Sequence, residues 1–173
     1  MGDRLTNQTC DRAIADFLRG DTDALAIIYD CMARMIFSVS YAIAENYQDA
    51  EDVLQETIIE ISKYAHTYRS GSNPKAWILA MTRHLSIDVV RRKKSIVLND
   101  AIEMDCNPET HSDLTLIEVL DMLNTLDEEK RQIIVLRLYT ELPYKGIASI
   151  MGISVVAAQK KYQRAIRELK DYF

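Results

Sequence analysis

Apolar residues recur along this chain at steps of three and four, the spacing that lays them on one side of an α-helix. From Asp11 to about Glu45 the series is Ile14, Phe17, Leu18, Leu25, Ile28, Met32, Met35, Ile36 and Val39, which predicts packed amphipathic helices broken near Gly20. A second helix is predicted from Asp49, a suitable cap, with Glu51 and Asp52 adding negative charge where the helix dipole favours it. Its apolar stripe is Val53, Leu54, Ile58, Ile61 and Ala65, whereas Asp52, Gln55, Glu56 and Ile59 share a different face. The turn from Ser70 to Pro74 offers Asn73 as a cap and Pro74 as the first residue of a third helix. That helix is expected to reach about Lys94 and to bury Ile78, Met81, Leu85 and Val89.

Periodicity fades from Ser95 to Asp113, where Asn107, Pro108 and Thr110 mark a linker. Beyond it, Leu116, Leu120 and Leu123 form one stripe, and Ile133, Ile134 and Leu138 form another behind a cap at Asp127. The last fifth, ELPYKGIASIMGISVVAAQKKYQRAIREL, reads as two helices joined at Met151-Gly152-Ile153, with Ser154 capping the second. No alternating run supports a strand. The expected architecture is all-α: two helical lobes, residues 1–95 and 114–173, joined by an acidic linker at 96–113, the second lobe ending in a helix-turn-helix.

Composition narrows the class. With 48% apolar and 27% charged residues, the chain is globular. It has no run of 18 apolar residues, and its N-terminus lacks the basic-then-apolar order of a secretory signal. A cytoplasmic protein with no direct membrane insertion is therefore expected. Cys10, Cys31, Cys106, His66, His84 and His111 are too scattered for a disulfide framework or a metal site, and no cofactor is expected. The net charge of −5 conceals four blocks: −8 over residues 1–62, +7 over 63–94, −10 over 95–129 and +6 over 130–173. Two basic patches divided by an acidic stretch, each coinciding with a helix of the right kind, point to nucleic acid.

The last basic block has the parts of a helix-turn-helix. Ile147, Ala148 and Met151 supply small and apolar packing positions, Gly152 the positive φ of the turn, and Ile153 a buried residue after it. The next helix would be apolar inside, at Val155, Ala158, Tyr162 and Ile166. Outside it would be polar or basic, at Gln159, Lys160, Lys161, Gln163, Arg164 and Arg167, as a major-groove helix requires. In the earlier block, Tyr64, Tyr68, Arg69, Lys75, Trp77 and Arg83 lead to Arg91-Arg92-Lys93-Lys94. Rings beside cations suit melted DNA, because bases stack on the rings while cations hold phosphates. The alternative is that Trp77 and Tyr64 are core residues and the basic run serves a helix C-terminus. Tyr64 reads as core, and Tyr68 as a loop residue working outside it.

DAEDVLQETIIEISKYAHTYRSGSNPKAWILAMTRHLSIDVVRRKK (Asp49 to Lys94) resembles the second conserved region of bacterial RNA polymerase sigma factors. LDEEKRQIIVLRLYTELPYKGIASIMGISVVAAQKKYQRAIRELK (Leu126 to Lys170) resembles their fourth. With so short a linker, the chain resembles the extracytoplasmic-function (ECF) type of the sigma-70 family. The resemblance implies a factor, not an enzyme, that binds core RNA polymerase and directs promoter-specific initiation, including minus-10 melting and minus-35 recognition. It implies that Asp52, Gln55 and Glu56 dock on the coiled coil of the largest polymerase subunit, which an i, i+3, i+4 polar patch suits. For the minus-10 element it implies Tyr68, Arg69, Asn73, Lys75, Trp77, Arg83, His84, Asp88, Arg91 and Arg92. For the minus-35 element it implies Ser154, Val156, Ala157, Gln159, Lys160, Lys161, Gln163, Arg164 and Arg167. The partners implied are core RNA polymerase and promoter DNA, with room for an anti-sigma factor and no small-molecule substrate. The acidic linker fits threading along polymerase surfaces that otherwise hold nucleic acid, and equally fits a solubilising tether.

Several positions depart from the family pattern. Thr82-Arg83-His84 stands where Ala-Arg-Asn is common, Val155-Val156-Ala157 where more polar residues are usual, and Ile166 where many relatives are basic. Promoter sequence is therefore not carried over by resemblance. Two other function classes compete. A helix-turn-helix regulator acting alone would leave residues 49–94 unexplained, and an interaction module would use the basic helices to bind an acidic protein. An enzyme finds no nucleophile, base and orienting group as a set, and no phosphate-binding glycine loop.

Overall fold

The structure, a computed structural model, describes residues 2–97 and 114–172. The helices are α1 (Gly2–Leu18), α2 (Ala24–Ala44), α3 (Tyr47–Tyr64) and α4 (Pro74–Val97) in the first lobe. The second lobe holds α5 (Leu114–Met122), α6 (Glu128–Ile134), α7 (Tyr144–Met151) and α8 (Val155–Tyr172). No strand occurs among the described residues. The expected linker lies, from residue 98 to 113, outside the described residues.

α2 is the axis of the molecule. By length and composition it could cross a membrane, but here α1, α3 and α4 wrap it and α6 of the second lobe packs against it. Ala24, Ile28, Met32, Ile36 and Val39 are buried on one side and Tyr41, Ala42 and Ile43 complete the burial near its C-terminus. Each large aliphatic side chain so removed from water contributes roughly 1.5–3 kcal/mol. Small hydroxyl residues let the neighbouring helices approach. The hydroxyls of Ser86 on α4 and Ser40 on α2 meet at 3.1 Å, and those of Thr57 on α3 and Thr82 on α4 at 3.5 Å. Thr57, Thr82 and Ser86 also donate to the carbonyl four residues earlier in their own helices, so none is left unsatisfied in the core.

This packing rotates α4 from the expected register. After Pro74 and Lys75 in its first turn, Ile78, Leu79, Thr82 and Ser86 are its buried positions, while Met81, Leu85 and Val89 are only partly covered, and the helix runs on to Val97. α3 starts one turn fragment earlier than expected. Its cap is Asn46, whose Oδ1 accepts the Asp49 N–H at 2.9 Å. Asp49 is buried and ion-paired with Lys93 at 2.7 Å, which ties α3 to α4. α4 begins as expected, with Pro74 first and Asn73 Oδ1 accepting the Ala76 N–H at 3.0 Å.

In the second lobe, Asp127 caps α6 by accepting the Lys130 N–H at 2.9 Å. α6 then passes into a π turn, Val135–Tyr139. The wider turn carries Leu138 out to solvent, 55% exposed, where an unbroken helical period would have buried it; Val135 and Leu136 fill the core instead. α7 ends at Gly152, whose φ of 66° is the left-handed value expected for this turn. The Ile153 N–H returns to the Ala148 carbonyl at 3.0 Å, closing a Schellman cap. α8 packs on α6 and α7 through Ala158 and Ala165; Val155, expected inside, is exposed in the first turn.

Candidate polymerase and promoter interfaces

On α3, Ala50, Val53, Leu54, Thr57 and Ile61 turn inward, which leaves Asp52, Gln55 and Glu56 on the opposite, solvent-facing side with Ile59 exposed beside them. Asp52 accepts from Gln48 at 3.2 Å, and Lys63 lies 3.6 Å from Glu56 and 2.9 Å from Glu60. Exposed pairs of this kind contribute about 0–1 kcal/mol, so a partner helix can displace them at little cost.

The residues expected at the minus-10 element divide into two groups. Arg69, His84, Arg91 and Arg92 are exposed, and Asp88 lies between His84 at 3.4 Å and Arg91 at 3.7 Å. Tyr68, Asn73, Lys75, Trp77 and Arg83 are instead held by the protein. Tyr68 is 8% exposed, so its expected place outside the core is corrected. Its ring packs on Trp77 with centroids 5.2 Å apart, its hydroxyl donates to Asp11 at 2.7 Å, and burial pushes that hydroxyl up to about 12. Tyr64, expected in the core, is 47% exposed and stacks on His66.

Asp11 is the residue that sequence reasoning missed. Its carboxylate accepts the Gly71 N–H at 2.8 Å, the Tyr68 hydroxyl and the Ser70 hydroxyl at 3.3 Å. The Gly71 N–H first and the Tyr68 hydroxyl next hold this carboxyl below the usual carboxylate range. Gly71 itself sits at φ 78°, so the loop turns where a side chain would be strained. With 57 to 60 residues between the partners, no local signal in the sequence could have announced the contact.

Lys75 is 1% exposed, and its ammonium donates to the Thr140 carbonyl in the second lobe. Arg83 Nε donates to Gln132 Oε1 at 2.8 Å, also across the lobes. A third crossing is made by Arg131, which is 3% exposed. Its Nε donates to the Ala42 carbonyl at 2.6 Å, its Nη1 to Asn124 Oδ1 at 2.9 Å, and its Nη2 pairs with Glu45. The guanidinium thus sits at the C-terminus of α2, the negative end of that helix. Tyr41 adds a bond to Asp121 at 2.7 Å.

On α8, Ser154 caps the helix by accepting the Ala157 N–H at 3.1 Å. Val156, Gln159, Lys160, Gln163, Arg164 and Arg167 are exposed and Ala157 is half-buried. Lys161 is tied to Glu129 of α6, and Lys130 bridges Asp127 and Glu168 at 2.7 Å each. Burial works against the ionised form of Asp127, but the Lys130 ammonium and N–H outweigh it and hold the carboxyl below its usual range. These bonds fix the angle of α8 on α6, leaving a row of amide and basic side chains outward.

Comparison with known proteins bears directly on this pair of surfaces. Residues 28–96 match the family described as Sigma-70 region 2, and residues 116–169 match Sigma-70, region 4. The chain belongs to the sigma-70 family. It is 28% identical over 149 residues to the ECF RNA polymerase sigma factor SigE of Mycolicibacterium smegmatis, spanning 81% of this chain and 58% of that relative. It is 26% identical over 175 residues to the ECF RNA polymerase sigma factor SigW of Bacillus subtilis, covering 92% and 94% of the two chains. Among solved structures it is similar to the sigma factor RpoE in complex with the anti-sigma factor NepR from Bartonella quintana. That likeness has a TM-score of 0.73 at 20% identity and covers 87% and 96% of the two chains. CnrH in complex with the cytosolic domain of CnrY follows at 0.69 and 19%, covering 99% and 97%. Region 2 thus corresponds to α2, α3 and α4, and region 4 to the segment from α5 to α8.

Proposed function

We propose that this chain is an initiation factor that binds core RNA polymerase and directs promoter-specific transcription. The observation that carries this reading is the presence of both sigma-70 regions, in order, on two separate helical lobes. The lobe of residues 1–95 binds polymerase through Asp52, Gln55 and Glu56 and takes up the minus-10 element. Arg69, His84, Asp88, Arg91 and Arg92 are already on its surface, and Tyr68, Asn73, Lys75, Trp77 and Arg83 shape the loop and helix beneath. The lobe of residues 114–173 reads the minus-35 element through α8. Gln159 and Arg164 are suited to base edges, and Lys160, Gln163 and Arg167 to phosphate. Ser154, Val156 and Ala157 set the helix N-terminus against the groove, and Lys161 orients the helix through Glu129.

The bond-forming chemistry belongs to the polymerase; this chain supplies specificity and helps open DNA in the cell interior, in the cytoplasm. RpoE and CnrH were solved with the anti-sigma factor NepR and the cytosolic domain of CnrY, and a protein of that kind is the proposed inhibitor here. Run-off transcription on genomic fragments tests the reading. Core polymerase with this chain should produce transcripts of defined start that core alone does not, and failure at every fragment would overturn it.

A further inference from the structure

The loop assigned above to the minus-10 element is held from one side by α1, which ends at Leu18, before region 2 begins at residue 28. α1 packs on the 3₁₀ turn Ala65–Thr67 and on α4, so the loop between those two elements runs beside it. Asn7 and Asp11 stand four positions apart on α1 and therefore share one face of the helix. Asp11 takes the middle of the loop, accepting from the Gly71 N–H, the Tyr68 hydroxyl and the Ser70 hydroxyl. Asn7 takes its far end, where Oδ1 accepts the Lys75 N–H at 3.3 Å. That N–H lies in the first turn of α4, where no carbonyl of the helix itself is within reach. With Asn73 accepting the Ala76 N–H, α4 is capped once from the loop and once from α1.

The bond to Gly71 also selects the form of the turn. The Ser72 N–H donates to the Arg69 carbonyl at 3.1 Å, which closes a turn of four residues with Gly71 in third place at φ 78°. A positive φ there is the mark of a type II turn. The type I form of the same four residues would swing the Ser70–Gly71 peptide round by roughly half a turn and carry the Gly71 N–H away from Asp11. Arg69, Ser70, Gly71 and Ser72 are all exposed, so the orientation of that peptide decides what the loop offers to a ligand.

We infer that Asp11 is a positioning residue for strand capture: through it, α1 fixes the backbone of the minus-10 loop before DNA arrives. The inference rests on the minus-10 reading of this loop. A loop that exchanged between turn forms would have to be ordered as it took an unpaired base, and that ordering would be subtracted from the binding free energy. A carboxylate beside DNA also repels phosphate. Removal of Asp11 therefore has opposite effects under the two roles, weakening capture if it holds the loop and strengthening it if only its charge is felt.

Full-length variants are tested in holoenzyme with core polymerase, on a genomic promoter that the parent first locates by run-off transcription. Binding of the closed complex is read by gel shift at low temperature, and opening by permanganate reactivity of unpaired thymines. Asp11→Ala should bind as the parent does and open about tenfold less, the effect on an equilibrium of losing one charge-assisted hydrogen bond. Its opening should return on the same template with mismatched strands at the minus-10 element, where no base pair has to be broken. Asp11→Asn keeps an oxygen for the Gly71 N–H and should fall between the two. Ile14→Val, a buried change on the same helix that lowers stability without touching the loop, should open as the parent does. Opening by Asp11→Ala equal to or above the parent's, an equal loss in Ile14→Val, or a loss that mismatched strands do not restore would overturn the inference. If Asp11→Ala does not fold, Asp11→Asn decides, and opening no lower than the parent's would overturn it. A parent that yields no transcript on any fragment would overturn the sigma-70 reading and this inference with it, whereas an active parent confines any failure to Asp11.

Discussion

Asp11 holds the loop that follows α3. It accepts three hydrogen bonds, from Gly71, Tyr68 and Ser70, and its ionised form is the one they favour. Asp11→Ala should lower stability by about 1 kcal/mol at neutral pH. Because the folded carboxyl titrates below its unfolded value of about 3.9, this contribution is complete above that value and is lost as pH falls through the folded one. The difference between parent and variant in chemical denaturation should be constant from about pH 5 to 7 and shrink below about pH 4. A difference unchanged at pH 3 would assign the carboxylate no such role. On α8, Lys160→Ala should weaken promoter binding alike at all sequences and reduce the salt slope by about one. Arg164→Ala should cost roughly 1–3 kcal/mol and relax preference at one base position. Equal losses on matched and unmatched sites would show that Arg164 contacts phosphate only. At this scale, side-chain identity was a poor guide to burial. Tyr64 and Tyr68 exchange the places expected for them, because the 3₁₀ turn Ala65–Thr67 carries the chain back over Trp77. Lys75 is buried by a carbonyl 65 residues away.

Whole elements follow local rules more closely. The caps at Asn73, Asp127 and Ser154 and the left-handed Gly152 were legible because each depends on residues within a turn of itself. Two elements departed from the expected pattern. Asn46 caps α3 and puts Asp49 in its first turn, where the carboxylate pairs with Lys93, and the π turn shifts the period of the second lobe so that Leu138 faces water. The glycines of the helix-turn-helix give a contrast to test. Nothing lies within 4 Å of a Cβ placed on Gly152, so Gly152→Ala costs only its positive φ, about 1 kcal/mol. Gly146 is helical and its added Cβ makes ordinary contacts, the nearest being Leu142 at 3.5 Å, so Gly146→Ala should be neutral or stabilise by up to about 1 kcal/mol. Thermal denaturation of the two variants should show opposite or clearly unequal shifts. Equal losses would mean that the turn at Gly152 is not the strained position.

For the molecule as a whole, the two lobes and their order could be read from periodicity and charge, but not their docking. Arg131 meets Ala42 across 89 positions, and nothing near either residue marks the pair. A chain of net charge −5, with basic patches divided by an acidic stretch and two cations turned inward, has little to offer duplex DNA by itself. Under the proposed function, polymerase would supply what is missing by fixing the distance between the lobes, so that the second DNA contact becomes effectively intramolecular. Promoter binding, followed by fluorescence anisotropy at physiological salt with this chain alone, core polymerase alone and both together, tests this most directly. Specific binding should appear only with both components, and should vanish when Asp52, Gln55 and Glu56 are all replaced by alanine while circular dichroism stays unchanged. Tight, specific binding by the chain alone, or undiminished binding by the folded triple variant, would contradict the account and favour a regulator that acts without polymerase.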